Sequence, residues 1–223
     1  MRLPRIRFTM RQMIGAVAVV AIGLGLVMAN VRSLERFTER VNRQGFCTSS
    51  LNNIAMALKT YSDINGHLPS PFVTDDQRHR THSWRILALT QIGTVLQASN
   101  YDYAGRWDAA SNATLSAEGS GWMGCASEAR SNPHGSPFVM INDLSGLEPS
   151  RVPSDAILVI EAWGANRNWL DPHDLVELSP RVRVAATDHP SGFGLILGNF
   201  RVTRVRDSGR VRKVGAFYVL DPE

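Results

Sequence analysis

The chain has 223 residues, 43% hydrophobic and 20% charged, and this composition is too apolar for an intrinsically disordered protein. Glycine and proline occur at ordinary frequency, which excludes collagen-like and low-complexity architectures. The formal net charge is +4, but residues 1–30 hold four arginines and no acid, so the remaining chain is neutral overall. Binding to nucleic-acid phosphates requires a concentrated positive field, so we expect no nucleic-acid partner.

The first predicted element is an apolar helix over residues 12–30, which carry no charge. Nineteen helical residues span roughly 29 Å, close to the thickness of a bilayer hydrocarbon core. The arginines that precede this stretch favour a cytoplasmic N-terminus by the positive-inside rule. The sequence therefore predicts a cytoplasmic leader (1–11), one transmembrane helix (12–30) in the inner membrane, and a C-terminal body in the periplasm or outside the cell.

A cleavable signal peptide is the alternative to an anchor. Val27 and Ala29 are small residues at the −3 and −1 positions of a possible cleavage site. We favour retention because the apolar stretch is longer than a typical signal-peptide core and a helical pattern continues beyond it.

A helical stalk is predicted over residues 31–66. Two stretches place apolar residues at helical spacing. They are Leu34, Phe37 and Val41 in the first, and Leu51, Ile54, Leu58 and Tyr61 in the second. The polar residues 42–45 lie between them, so the pattern is compatible with one long helix or with two consecutive ones.

Short apolar runs replace the helical pattern in the body, residues 67–223. The runs at 137–141, 156–163, 193–200 and 216–220 predict strands of a mostly antiparallel sheet. Asp207, Ser208 and Gly209 predict a hairpin turn between strands over 199–206 and 210–220. A helix followed by several strands indicates an α+β fold with the helix packed on the sheet.

Cys47 and Cys125 are the two cysteines of the chain. Outside the cytoplasm two thiols in one small domain usually pair, so we expect a disulfide; two inert buried thiols are the alternative. In the loop-entropy model, closing a loop of about 78 residues contributes at most roughly 4 kcal/mol.

Several blocks of the sequence occur together in one known family. Phe8-Thr9-Met10-Arg11-Gln12 before the apolar run resembles a prepilin leader. The chain as a whole is similar to the planctomycete prepilin-like family with a domain of unknown function. The positions that carry the resemblance, in chain order, are Phe8, Cys47, Asn52, Asn53, Trp84, Trp107, Asp108, Cys125, Glu161, Trp169, Asp174, His189 and Asn199.

The resemblance implies a type IV pilin-like α+β fold, an exported body, a Cys47–Cys125 bridge and pilin-like or secretion-system subunits as partners. It implies no known reaction. The chain departs from the family at Arg7, where cleavage of the leader needs glycine, and at Gln12, where pilins carry the glutamate that pairs neighbouring subunits. Since Gln12 cannot supply that charge in the bilayer, we expect an anchored monomer or minor subunit, not a major fibre.

The family's C-terminal Asp-Gly appears here as Asn199 followed by Phe200. Glycine adopts positive φ at little cost, and phenylalanine does not. The substitution therefore predicts a turn that is built differently or shifted.

No catalytic, metal or cofactor site is predicted. His79 and His82 after Asp75 and Asp76 offer metal ligands, but their spacing lacks the pattern of a zinc hydrolase and we interpret the segment as a solvated loop. Three acids near Pro172 could hold Ca²⁺ through oxygen ligands, although a turn is the favoured interpretation. These acids are Asp171, Asp174 and Glu177.

His189 follows Asp188, which could orient a general base, but no known nucleophile motif accompanies the pair. Glu161 lies in an apolar run, and a buried carboxylate needs a partner, for which Arg85 and Arg167 are the candidates.

The predicted hairpin from Arg201 to Lys213 holds six cations and one acid. This basic segment could meet anionic lipid, a wall polymer or a partner protein, or its charges could protect a sheet edge from aggregation.

Together these features predict a membrane-anchored, pseudopilin-like structural or assembly protein of the cell envelope, with the lipid bilayer as a partner and no enzymatic activity. The alternative is a tethered extracytoplasmic module that binds carbohydrate or peptide through exposed tryptophans, and burial of most tryptophans would favour the first hypothesis. The five are Trp84, Trp107, Trp122, Trp163 and Trp169.

Overall fold

The structure is a computed structural model that describes residues 10–92, 100–118, 121, 123–125, 135–162, 167–173, 192–206 and 210–221. The chain divides into two compact units, Met1–Val41 and Asn42–Glu223. Phe8, Trp122, Trp163, Asp174, Glu177, Asp188 and His189 lie outside the described residues.

Helix α1 runs without a break over Met10–Asn65, 56 residues. The two helical stretches of the sequence are therefore one helix. No proline interrupts this range, and Thr48 in the polar region donates to the carbonyl oxygen of Gln44 at 2.9 Å. Gly66 ends the helix: its φ is 75° and its N–H donates to the carbonyl oxygen of Ser62.

Within the first unit, α1 is long and apolar enough to cross a bilayer once. Its most apolar 18-residue window has a mean hydropathy of 2.3, and no part of that window is buried within the protein. Large side chains such as Ile14, Val17 and Leu24 are at least 60% exposed. A helix that is apolar on every side and has no protein around it is suited to lipid.

In the second unit, α1 buries one face in the core of the body. Cys47, Leu51, Ile54 and Leu58 recur every three or four residues and are almost fully buried. This is the apolar face that the sequence predicts.

The body contains a four-stranded antiparallel sheet in the order β4-β5-β7-β8 and three two-stranded antiparallel pairs, β1-β2, β3-β6 and β9-β10. This confirms the α+β class. The strands are β1 Phe72–Thr74, β2 Arg80–Ser83, β3 Gly135–Ser136, β4 Phe138–Met140, β5 Ile157–Glu161, β6 Arg167–Asn168, β7 Phe193–Leu197, β8 Val202–Val205, β9 Val211–Val214 and β10 Phe217–Leu220. Short helices α2 (Trp84–Leu89) and α3 (Ala113–Glu118) and three 3₁₀ turns, Thr90–Ile92, Ala110–Asn112 and Pro149–Arg151, connect them.

Both faces of the four-stranded sheet are buried. Met140, Val159 and Ile196 belong to the core cluster that contains the α1 residues, whereas Ile160 and Leu195 belong to a second cluster. Every residue of β5 and β7 is buried, and in β7 the successive side chains of Leu195, Ile196 and Leu197 alternate between the two clusters.

The predicted pairing of the strands on either side of residues 207–209 is wrong. Strand β8 pairs with β7, and β9 pairs with β10. The tight turn of the second hairpin falls at Gly215 and Ala216, and Gly215 has the positive φ, 59°, that a type II′ turn requires at its first central residue. The turn predicted at Asp207 lies outside the described residues.

The β7-β8 turn keeps a left-handed residue without glycine. Phe200 has a φ of 62°, and its N–H donates to the carbonyl oxygen of Leu197 at 2.7 Å. The N–H of Leu197 donates to the carbonyl oxygen of Arg201 at 3.0 Å. These bonds are typical of a three-residue hairpin loop, in which the third residue is usually glycine. Phe200 therefore adopts the strained left-handed conformation itself, and its ring packs against the core cluster.

Candidate functional site

A disulfide within the body joins Cys47 to Cys125. Cys47 lies on α1 and is fully buried, and Cys125 is 2% exposed. The sulfurs are 2.05 Å apart and the residues are separated by 78 positions. The bond links the helix covalently to the segment that precedes the sheet, as the sequence predicts.

Beside the cystine lies a buried ion pair between Glu161 of β5 and Arg204 of β8. Their side chains are 2% and 12% exposed, and Arg204 Nη1 lies 3.3 Å from Glu161 Oε2. The backbone N–H of Gly194 donates to the same carboxylate oxygen at 2.8 Å. Arg204 also donates to the hydroxyl of Thr48 on α1 and to the carbonyl oxygen of Gly192. We call these groups and the cystine the buried polar centre.

The partner that the structure shows for Glu161 is Arg204, whereas the sequence named Arg85 and Arg167 as candidates. Arg85 donates to Ser83 and to the carbonyl oxygen of Phe138. Arg167 lies 3.8 Å from a carboxylate oxygen of Asp171. Strand pairing decides the outcome, because the β7-β8 register places Arg204 opposite Gly194, whose N–H contacts Glu161.

Gly194 makes room for this arrangement. A Cβ at that position would lie 2.1 Å from Leu51 Cδ1 and 3.2 Å from Glu161 Oε2. The missing side chain allows α1 to pack directly on β7 and leaves the carboxylate accessible to the backbone N–H.

The buried polar centre contains the one group of three possible metal ligands within the described residues: Cys47, Cys125 and Glu161, whose ligand atoms lie within 4.8 Å of one another. The sulfurs are bonded to each other, so neither is a thiolate. Glu161 Oε1 lies 3.5 Å from the Cys125 sulfur, but a disulfide sulfur has no proton to donate. With Arg204 on the other carboxylate oxygen, the arrangement is suited to structural stabilisation.

The family-motif residues occupy different parts of the body. Asn52 is exposed and Asn53 half-buried on α1, and Asp108 forms an exposed ion pair with Arg106 at 3.0 Å. Asn199 is in the β7-β8 turn, where its side-chain oxygen accepts the N–H of Arg201. The described members of this set therefore lie on separate elements: α1, the loop at Asp108 and the β7-β8 turn.

The described tryptophans pack in the interior. Trp84 and Trp169 are at most 1% exposed, and Trp107 is half-buried against the core cluster. The Trp169 indole N–H donates to the carbonyl oxygen of Leu115. Three of the five tryptophans are thus unavailable as an exposed stacking surface.

Asn112 organises the loop that carries Trp107 and Asp108. It is fully buried, its amide donates to the carbonyl oxygens of Asp102 and Arg106, and its oxygen accepts the N–H of Asp102. A buried asparagine that satisfies three backbone groups fixes the loop conformation.

Sequence reasoning missed an aromatic cluster around His82, formed with Tyr101 and Tyr103. The His82 Nδ1 lies 2.8 Å from the Tyr101 hydroxyl, and the three rings contact one another edge to face with centroids 4.9 to 5.6 Å apart. Burial lowers the pKa of His82, against the opposing effects of the Tyr103 backbone and Asp102. Burial also raises the pKa of both tyrosines. The signal in the sequence that could have indicated this cluster is the pair of tyrosines on either side of Asp102.

Of the two metal-ligand possibilities of the sequence, the histidine pair does not converge, and Asp174 and Glu177 of the other lie outside the described residues. His79 contacts Asp75 in the exposed β1-β2 turn, whereas His82 faces the tyrosines. Asp171 accepts the backbone N–H of His173 and lies 2.7 Å from its ring, which is a turn of the predicted kind.

In comparisons with known proteins, no family model, no curated protein and no solved structure matches the chain.

Proposed function

We propose that this chain is a membrane-anchored, pseudopilin-like protein of the cell envelope that acts by display or assembly, without catalysis. The observation that carries the proposal is the continuity of α1, which begins as an exposed apolar helix and continues into a helix packed on an antiparallel sheet. An apolar helix that leads directly into an α+β body is the arrangement expected of a pilin-like subunit.

The orientation follows from two independent features. Arginines without acids precede the apolar stretch, which favours a cytoplasmic N-terminus. The Cys47–Cys125 cystine is stable in an oxidising compartment and rare in the cytosol. Both features support a body outside the cytoplasm.

A fusion of the full chain to alkaline phosphatase, at its C-terminus, tests this topology, because the enzyme is active only outside the cytoplasm. We expect phosphatase activity that stays with membranes after carbonate washing. A matched variant with Val19→Arg and Ile22→Arg should lose membrane association, since two charges near the middle of the span oppose insertion. Activity of a cytoplasmic β-galactosidase fusion instead would contradict the proposal.

The mature N-terminus distinguishes an anchor from a cleaved signal. Mass spectrometry of the membrane fraction should find residues 12–30 retained, and a protein beginning at Asn30 would contradict anchoring.

Because Gln12 lacks the subunit-pairing charge, electron microscopy of overexpressing cells should show no abundant filaments of this protein. Abundant filaments would contradict the minor-subunit role.

A further inference from the structure

The C-terminal end of α1 holds the one asparagine of the sequence that is followed by glycine, Asn65 before Gly66. Asn65 is the last residue of the helix, and both residues are exposed. A Cβ at Gly66 would meet no atom within 4 Å apart from its immediate chain neighbours, so the space around this peptide bond is open. Water therefore reaches both residues.

An asparagine before glycine carries both reactants of an intramolecular acyl transfer. When the backbone nitrogen of Gly66 attacks the side-chain carbon Cγ of Asn65, the nitrogen loses its proton, the Cγ–Nδ2 bond breaks and ammonia leaves. Water then opens the cyclic imide: addition at Cγ gives aspartate, and addition at the main-chain carbonyl gives isoaspartate. Overall one water is consumed and one ammonia is released. Glycine favours the reaction because no side chain blocks the approach to its nitrogen.

The end of α1 holds these two reacting groups apart. The N–H of Gly66 donates to the carbonyl oxygen of Ser62 at 2.8 Å, and the φ of Gly66 is 75°, which together form a left-handed helix cap. Side chains on a helix point back toward its N-terminus, and the Asn65 Nδ2 accordingly donates to the carbonyl oxygen of Tyr61 at 2.8 Å. The attacking nitrogen therefore keeps its proton, and the amide that it would attack lies on the preceding turn.

Opening of the last helical turn removes both restraints. Helix ends fray more readily than helix interiors, and the ion pair on this turn, Lys59 with Asp63, is 58% and 61% exposed and contributes little. Beyond Gly66 the chain is fixed by Leu68, which is 1% exposed and whose N–H donates to the carbonyl oxygen of Leu147 at 2.9 Å. Leu68 therefore limits how often the end of α1 opens.

We propose that Asn65 is a deamidation site, with water as the co-reactant, and that opening of the last turn of α1 sets the rate. The product carries a new carboxylate at the C-terminal end of the helix, where the helix dipole disfavours negative charge. Isoaspartate also adds a methylene group to the backbone, which is incompatible with the spacing of the left-handed cap. Deamidation therefore keeps the helix end open. This site goes beyond the proposed function and does not depend on the membrane anchor.

Peptide mapping by mass spectrometry of the full chain, incubated in detergent micelles at mildly alkaline pH, tests the proposal. Trypsin releases Asn65 in the fragment 60–78 and Asn199 in the fragment 184–201, each with a single asparagine. Asn199 is also exposed, but phenylalanine follows it. We expect Asn65 to become a mixture of aspartate and isoaspartate at least tenfold faster than Asn199. Conversion should be at least tenfold slower than in a synthetic peptide of residues 60–78, because so short a helix is marginal in water.

Two matched leucine variants test whether local opening sets the rate. Leu68→Ala should accelerate the conversion of Asn65 in the protein at least threefold and leave the rate in the synthetic peptide unchanged. Leu170→Ala makes the same change at a buried leucine of the same core cluster, outside α1 and the segment that follows it, and should leave the rate within twofold. Circular dichroism shows that both variants are folded, and Leu68→Val replaces Leu68→Ala if that variant is not.

Four results would overturn the proposal. Conversion of Asn65 no faster than that of Asn199 excludes the site, and aspartate without isoaspartate excludes the cyclic route. A rate in the folded protein equal to that in the peptide shows that the helix end restrains nothing. Equal acceleration by the two leucine variants shows that conversion follows global unfolding and not the opening of the last turn.

Discussion

At the scale of single residues, the buried polar centre shows how a few side chains fix the body. Glu161 and Arg204 are removed from water, and each satisfies groups on other elements: Gly194 on β7 and Thr48 on α1. A buried pair of this kind contributes little net stability relative to an apolar replacement, but removal of one partner leaves an uncompensated charge.

We therefore expect Glu161→Leu and Arg204→Met each to lower the free energy of unfolding by about 3 kcal/mol. The double variant Glu161→Leu with Arg204→Met should be less destabilised than the sum of the two single changes. Urea unfolding followed by tryptophan fluorescence measures all three. Additive losses would show that the pair does not act as a unit.

The His82 cluster predicts a pH dependence of stability. Because burial lowers the pKa of His82, the unfolded state binds its proton first as the pH falls. Stability should be fully present above the unfolded pKa of about 6.5 and should decrease as the pH falls below it. The groups that face the ring are Tyr101, Tyr103 and Asp102.

Unfolding curves at pH 7.5, 6.0 and 5.0 test this prediction. The variant His82→Gln should flatten the dependence over this range. Because burial raises the pKa of Tyr101, stability should also fall above pH 10, where the unfolded tyrosine ionises first. Identical pH profiles for the wild type and His82→Gln would contradict the role of His82.

At the scale of elements, the β7-β8 hairpin contains a conflict between conformation and packing. Phe200 has a φ of 62°, which side chains other than glycine rarely adopt, yet its ring contacts the core cluster. Both requirements meet at one position because the turn has only three residues between the bonded pair Leu197 and Arg201.

This conflict predicts an inverted ranking of two substitutions. Phe200→Ala and Phe200→Gly both lose the ring, but only glycine relieves the left-handed strain. We expect Phe200→Gly to be about 1 kcal/mol more stable than Phe200→Ala, opposite to the usual order in strands and helices. Urea unfolding measures the difference, and the exposed Ala216, changed to Gly, gives the ordinary effect for comparison. A less stable Phe200→Gly would show that the turn relaxes.

Strand positions follow from the sequence, whereas strand partners do not. Apolar runs are local, and the runs at 137–141, 156–163 and 193–200 contain β4, β5 and β7. A turn signal such as that at Asp207 does not decide whether the strands on either side of it pair, and among the described residues β8 and β9 belong to different sheets. Likewise the partner of Glu161 lies 43 positions away on β8, and His82 and Tyr101 meet across 19 positions.

At the scale of the whole molecule, apolar patterning and the cysteine count predict the main organisation. The nineteen uncharged residues and the periodic positions Leu51, Ile54 and Leu58 already define an apolar span and a packing face. Residues 42–45 have only weak local preferences for or against a helix, so the sequence left open whether they interrupt it. The structure shows one helix. The buried polar centre depends on tertiary contacts, so only its cystine was predictable.

The cystine is expected to stabilise the body. Replacement of both cysteines by alanine should lower the free energy of unfolding by about 3 kcal/mol. The reason is that the unfolded chain gains conformational entropy when two residues 78 positions apart are no longer linked. Urea unfolding with and without a reducing agent measures this. The wild type should be destabilised by the reductant and the double variant should not respond; a wild type that does not respond either would contradict the bond.

Cys47 and Thr48 are adjacent on α1 and attach it to different places, Cys125 and Arg204. A sliding or rotating helix would have to break a covalent bond and a hydrogen bond in the same step. When tension is applied to this part of the helix, the apolar contacts can give way while the disulfide still holds the helix to Cys125. The force needed to unfold the body mechanically should accordingly change when the disulfide is reduced to two thiols.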